Sequence, residues 1–213
     1  MNDKAMDRAM NSVRIKICGI TNEADAAAAV RAGADALGFI FYGGSPRCVA
    51  PGRAAEIVAG LPPFVVPVGV FVNAAADDVD GICEAAGIQV VQLHGDEPPG
   101  FCEMLGRPVI KAFRVRDASW KSAAAAYSVG AVLLDTFAED RYGGTGTTFD
   151  WRLVEGSPHP VILSGGLNPD NVAEAVRSVR PYGVDTGSGV EREPGRKDHG
   201  RIRAFVEAAR HSL

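Results

Sequence analysis

A chain of 213 residues, 46% apolar and carrying 25 glycines, is long enough for one sizeable core, and one domain is the default. Its 22 basic against 26 acidic side chains give 22 − 26 = −4, and no long basic stretch is present to neutralise a nucleic-acid backbone, so nucleic acid is not an expected partner. The longest apolar runs, such as residues 65–72, fall far short of the roughly 20 residues that span a bilayer, which excludes a spanning helix and leaves a water-soluble protein as the expectation.

Residues 1–12 are polar, with Asp3, Lys4, Asp7 and Arg8, and lack the apolar stretch of a secretory signal. They are expected to be a frayed extension, with the folded domain running over 13–213. From there short β-rich runs alternate with alanine-rich amphipathic stretches. Val13–Cys18 reads as a strand and Glu23–Ala32 as a helix; Ala36–Phe41 and Gly52–Ala59 repeat the pair, as do Phe64–Phe71 and Asp77–Ala86. Val90–Leu93 with Pro98–Leu105, Val109–Phe113 with Ser119–Tyr127, and Ala131–Asp135 with Asp150–Glu155 follow. Val161–Leu163 with Pro169–Val179, and Gly183–Asp185 with Arg201–Arg210, complete eight units. Several strands are apolar throughout, as strands buried on both faces should be.

Strict β-α alternation with short connections gives a parallel sheet, and eight units close most naturally into a single (β/α)8 barrel; a doubly wound open sheet is the alternative. The punctuation fits helices. Asn168 before Pro169 reads as an N-cap with proline at the first helical position. Gly33, Gly87 and Gly106 stand where a left-handed residue would turn the chain into the next strand. The polar segment 138–148 is the longest loop and follows a strand, which in a barrel puts it over the mouth as a candidate lid.

Four cysteines, Cys18, Cys48, Cys83 and Cys102, lie far apart with no CxxC spacing, so reduced thiols and a cytoplasmic setting are expected. Cys83 and Cys102 fall on apolar helix faces and Cys48 in a loop. Cys18 closes the first strand, and Asp135 closes the sixth. In a parallel barrel those ends share a face, so a thiol and a carboxyl could flank one substrate as base and acid; a buried filler and a turn cap are the bland alternatives. After the seventh and eighth strands come Ser164-Gly165-Gly166 and Gly187-Ser188-Gly189, where barrels commonly bind phosphate through backbone N–H groups. Tight turns needing positive φ would read the same way.

Segments spread over residues 13–210 carry a resemblance to the phosphoribosylanthranilate isomerases of tryptophan biosynthesis. They are Lys16-Ile17-Cys18-Gly19-Ile20-Thr21, Gly38-Phe39-Ile40-Phe41-Tyr42 with Ser45-Pro46-Arg47, Gly69-Val70-Phe71-Val72-Asn73, Val91-Gln92-Leu93-His94-Gly95, Leu133-Leu134-Asp135, Gly143-Gly144-Thr145-Gly146, Phe149-Asp150-Trp151, Leu163 to Pro169, and Gly183-Val184-Asp185. The resemblance implies an Amadori rearrangement that opens the ribosylamine of anthranilate to a ribulose 5-phosphate. It implies Cys18 as general base and Asp135 as general acid, with no metal and no cofactor. Arg47 would engage the anthranilate carboxylate. His94 would contact substrate or hold neighbouring groups, with a structural hydrogen-bonded histidine as the alternative. Asp185 would contact substrate or orient the loop after it, with a cap of that turn as the alternative. Gly165, Gly166, Gly187, Ser188 and Gly189 would hold the phosphate. A free aspartate is ionised at neutral pH and a free cysteine mostly is not. The chemistry therefore calls for surroundings that keep Asp135 protonated, and Cys18 is expected to be lowered by nearby donors.

The chain departs from the family pattern where Gly44 and Thr147 replace lysines, which removes two cations from the capture of a dianion. Two other readings compete: a different phosphosugar barrel enzyme, including a sibling that also serves histidine synthesis but pairs two aspartates, and a non-catalytic binder of phosphate ligands. Cys18 argues against the first, and the intact pair argues against the second. The expected partner is a small phosphosugar, and a monomer is expected because no extra apolar surface element is evident.

Overall fold

The computed structural model describes residues 12–136 and 148–212. The expected extension over 1–12, all but its last residue, and the candidate lid over 138–148, all but its last residue, lie outside the described residues.

Eight parallel strands close into a barrel in sequence order: β1 (Arg14–Cys18), β2 (Ala36–Ile40), β3 (Val66–Phe71), β4 (Val90–Leu93), β5 (Val109–Val115), β6 (Ala131–Thr136), β7 (Val161–Leu163) and β8 (Gly183–Thr186). Closure comes from β1 pairing with β8, Arg14 against Gly183 and Lys16 against Asp185. The helices are α1 (Glu23–Ala32), α2 (Pro51–Ala59), α3 (Ala76–Ala86), α4 (Pro99–Met104), α5 (Trp120–Ala124), α6 (Val172–Val179) and α7 (His199–Arg210).

Most of the core lies between sheet and helices, where Ile15, Ile17, Leu37, Phe39, Leu93, Leu134 and Leu163 point outward onto the apolar helix faces. The barrel interior is narrower and holds a separate cluster of Ala112, Ala131, Leu133 and Ile162. Because side chains alternate along a strand, outward Ile15 and Ile17 send Lys16 and Cys18 inward. Outward packing therefore aims the chemistry of β1 into the barrel.

Several boundaries differ from the sequence expectation. The sixth helical segment is a 3-10 turn, Trp151–Val154, capped by Asp150, whose side chain accepts from Arg152 N. The third strand starts at Val66 because Pro62 accepts from Val65 N and a turn leaves Phe64 exposed. The last helix starts two residues early, at His199, since Asp198 supplies the N-cap by accepting from Arg201 N. Gly33 (φ 97°) and Gly87 (φ 67°) take the left-handed conformation, but Gly106 does not; α4 ends on an extended Leu105 instead. Asn168 is not an N-cap. Helix α6 starts at Val172, and Asn168 and Asn171 both turn their amides to the carbonyl of Gly166, at 3.4 and 3.1 Å. A small antiparallel hairpin, β9 (Glu191–Glu193) with β10 (Arg196–Lys197), follows β8 and was not legible beforehand.

Candidate active site

The C-terminal strand ends surround a cavity lined by Cys18, Arg47, Gln92, His94, Asp135, Ser164, Gly165, Gly166, Asp185, Gly187 and Ser188. Cys18 and Asp135, from β1 and β6, thus face one space. A wider groove on the outer wall passes Trp151, His159 and Tyr182, but its Asp150 and Arg152 are exposed and paired with each other. Chemistry belongs to the mouth.

Cys18 is given room by a strand glycine. It sits opposite Gly38 in the β1–β2 register, and a Cβ on Gly38 would come within 2.7 Å of Cys18 Sγ. Beneath it Lys16 Nζ donates to Asp185 Oδ1 at 2.8 Å, a pair with side chains 5% and 7% exposed. Ser164 Oγ donates to the other Asp185 oxygen at 3.3 Å. The expected lowering of the thiol is reversed: burial pushes Cys18 above its ordinary value, and the cations Lys16 and Lys197 pull it back without overcoming that cost. Burial works to lower Lys16, yet the Asp185 carboxylate and the Cys18 sulfur outweigh it and hold the ammonium high. The resting thiol is therefore protonated, with a cation beside it to stabilise the thiolate when it forms.

Asp135 is 4% exposed, and its Oδ1 accepts from Thr136 N at 2.8 Å. Its Oδ2 lies 3.4 Å from His94 Nε2. Gln92 Nε2 lies 3.0 Å from His94 Nδ1, and with the amide so placed it donates there and leaves the proton on Nε2, facing Asp135. The His94 backbone is tied to β3, its N–H donating to the Phe71 carbonyl at 2.8 Å. Glu97 accepts from Asn73 N and Gly95 N and pairs with Lys111 at 2.9 Å, tying the loops after β3 and β4 to β5.

Gly165 (φ 77°) crosses directly above Thr136, where a Cβ would meet its backbone nitrogen at 2.5 Å. Among the described residues no acceptor takes the N–H of Gly165, Gly166 or Gly187, so amide donors remain at the mouth for an anion. Gly189 stands apart from this group. It packs behind the loop against the Leu167 carbonyl, which a Cβ would approach to 1.9 Å.

Arg47 lies over Gly19 (φ 77°) and is gripped by Glu191, Nε to Oε1 at 2.8 Å and Nη2 to Oε2 at 2.7 Å. Glu191 Oε1 also accepts from Lys197 Nζ at 2.8 Å, and Lys197 donates to the carbonyl of Gly187 at 3.0 Å. Burial works to raise Glu191, but Arg47 and Lys197 hold it below the usual carboxylate range.

Every sequence-derived site residue except Gly189 lines the cavity. Missed were Lys16 as a partner of Asp185 and Cys18, and with it Gln92, Glu191 and Lys197. For Lys16 and Gln92 the signal was present, since each is a polar residue at an inward position between outward apolar neighbours.

Fold and mouth together define a closed parallel barrel that gathers a thiol, a carboxyl and amide donors around one cavity. A family profile described as N-(5'-phosphoribosyl)anthranilate (PRA) isomerase matches residues 15–208. The N-(5'-phosphoribosyl)anthranilate isomerase of Geobacter sulfurreducens is 53% identical over 200 residues, 93% of this chain and 98% of that one. The Thermotoga maritima phosphoribosyl anthranilate isomerase superposes with a TM-score of 0.83 at 41% identity, covering 92% of this chain and 98% of that one. A phosphoribosyl anthranilate isomerase in complex with reduced 1-(o-carboxyphenylamino)-1-deoxyribulose 5-phosphate superposes with a TM-score of 0.80 at 40% identity, covering 92% of this chain and 98% of that one. The chain belongs to the N-(5'-phosphoribosyl)anthranilate isomerase family. Its activity is the aldose–ketose isomerisation of phosphoribosylanthranilate in tryptophan biosynthesis.

Proposed function

We propose that Cys18 is the general base and Asp135 the general acid of this isomerisation. The observation that carries the assignment is that one thiol and one carboxyl, from β1 and β6, line the same cavity beside free amide donors. Asp135 gives its proton to the ring oxygen as the C1′–O bond breaks, and the anilinic nitrogen supplies the electron pair that forms the iminium. The C2′ hydrogen, acidified by that iminium, leaves as a proton to the Cys18 sulfur, which reacts as the thiolate formed beside Lys16 after its own proton has passed to solvent. The resulting enol becomes the ketone when its hydroxyl loses a proton and C1′ gains one. His94 holds Asp135 from the side. Gly165, Gly166, Gly187 and Ser188 cradle the phosphate, with Gly189 as their support, and Asp185 keeps Lys16 at the sulfur. Arg47 takes the anthranilate carboxylate.

The buried Lys197, which donates to the Gly187 carbonyl at 3.0 Å, sets a positive charge behind the phosphate loop. Free cysteines at positions 18, 48, 83 and 102 support a reducing, cytoplasmic setting. Among the described residues no helix is long and apolar enough to cross a membrane.

Loss of phosphoribosylanthranilate fluorescence, with the substrate formed in situ, tests the assignment. Cys18→Ser and Asp135→Asn should each lower kcat by roughly 10²- to 10⁴-fold. Turnover near wild type in both variants would overturn it.

A further inference from the structure

The guanidinium of Arg47 presents five N–H donors along two usable edges. Glu191 occupies the Nε/Nη2 edge bidentately, and the Glu191 side chain is only 5% exposed. The Arg47 stem rests on Gly19, whose missing side chain leaves the space that the Cδ atom fills. Among the described residues, Nη1 makes no hydrogen bond. The residue lines the cavity, so the second edge is the part of the side chain still able to receive a planar acid there.

A carboxylate fixed behind an arginine would ordinarily repel a second carboxylate in front of it. Here the excess charge is cancelled locally, because Lys197 Nζ donates to the same Glu191 oxygen that Arg47 Nε uses. The triad of Arg47, Glu191 and Lys197 carries a net charge of one positive unit. The lysine also binds the Gly187 carbonyl, linking the arginine to the loop that offers amides to phosphate.

We propose that Glu191 is a positioning residue for substrate recognition: it locks one edge of Arg47 so that the other meets the aromatic carboxylate, while Lys197 cancels its charge. The proposal rests on the assignment of Arg47 as the carboxylate anchor. It differs from a structural role in one respect: Glu191 should matter only for ligands that carry that carboxylate.

Equilibrium binding of two probes separates these possibilities. One is reduced 1-(o-carboxyphenylamino)-1-deoxyribulose 5-phosphate, and the other is the same compound with an unsubstituted phenyl ring. Wild type should prefer the carboxylated probe by roughly tenfold or more, as expected for a charge-assisted bidentate contact. Glu191→Asp keeps the charge that neutralises Lys197 but withdraws the carboxylate by one methylene, and Glu191→Gln removes the charge at constant size. Both should lose most of the preference while binding the phenyl probe within about twofold of wild type. Arg47→Ala should lose the preference altogether.

If Arg47→Ala loses the preference and Glu191→Asp, folded by circular dichroism, retains it, Glu191 does not position the arginine. Equal weakening of both probes in the Glu191 variants would likewise overturn the inference, since that is the mark of structural support alone. An Arg47→Ala enzyme that keeps the full preference would instead remove the anchor assignment itself, and the inference with it.

Discussion

At Cys18 the surroundings serve the intermediate stages of the reaction more than the resting enzyme. Burial favours the neutral thiol, whereas Lys16 and Lys197 favour the thiolate. Alkylation by iodoacetamide in a Cys48→Ser background, which removes the exposed thiol, should show a Cys18 midpoint above that of an ordinary thiol. Lys16→Met should move it higher still; a midpoint below the ordinary value would contradict the balance described. Gly38 is the other residue on which the sulfur depends. Gly38→Ala puts a methyl into the space of Sγ, and we expect kcat to fall by at least tenfold with little change in secondary structure by circular dichroism.

At the scale of elements, the loops after β3 and β4 hang on one buried ion pair. Lys111 and Glu97 are 3% and 2% exposed, and the lysine also donates to the carbonyl of Gly95 at 2.7 Å. Lys111→Met would leave the Glu97 charge buried without its cation and should cost roughly 3 kcal/mol or more of stability, read as a lower midpoint in urea unfolding. An unchanged midpoint would show that the backbone donors to Glu97 suffice. The eight strands were legible in the sequence because each is apolar over a strand's length and separated by helical periodicity. The helix ends were less so. Asn168 and Pro169 carry the residue types of a helix start, and Asn168 Oδ1 does accept from Asp170 N at 2.8 Å, but only a turn follows and the helix begins at Val172. Cys18, Asp135 and the glycine loops could be found because they sit at strand ends. Glu191 and Lys197 could not, since their meaning depends on a hairpin that folds them back under Arg47, Glu191 from 144 residues away in sequence. Periodicity carries no trace of such a contact.

For the whole molecule, acid should be the weak direction. Burial works to raise Asp25, but the amide of Lys197 and the His199 ring outweigh it and hold it low, as Arg47 and Lys197 do for Glu191. A carboxylate held lower when folded than when unfolded contributes stability that is whole above the ordinary range near pH 4. That contribution is lost as the pH falls through the depressed folded value. Urea midpoints should therefore be flat above about pH 5 and fall below it, and Glu191→Gln should flatten the fall. A steeper fall in that variant would contradict the sign. The surface also bears on assembly. Phe64, 93% exposed, and Tyr182, 56% exposed, border the opening at the opposite end of the barrel, so the ground on which a monomer was expected is removed. Because Cys18 and Asp135 line one cavity at the mouth of a single barrel, activity per chain should stay constant on dilution.

The central claim, that Cys18 and Asp135 handle different protons of one bound sugar, is tested most directly by kinetic isotope effects with substrate deuterated at C2′ of the ribose. Cys18→Ser should make removal of that hydrogen rate-limiting and show a full primary effect on kcat. Asp135→Asn should make ring opening rate-limiting and suppress the effect towards unity. Equal effects in the two variants, or the reverse order, would contradict the assignment.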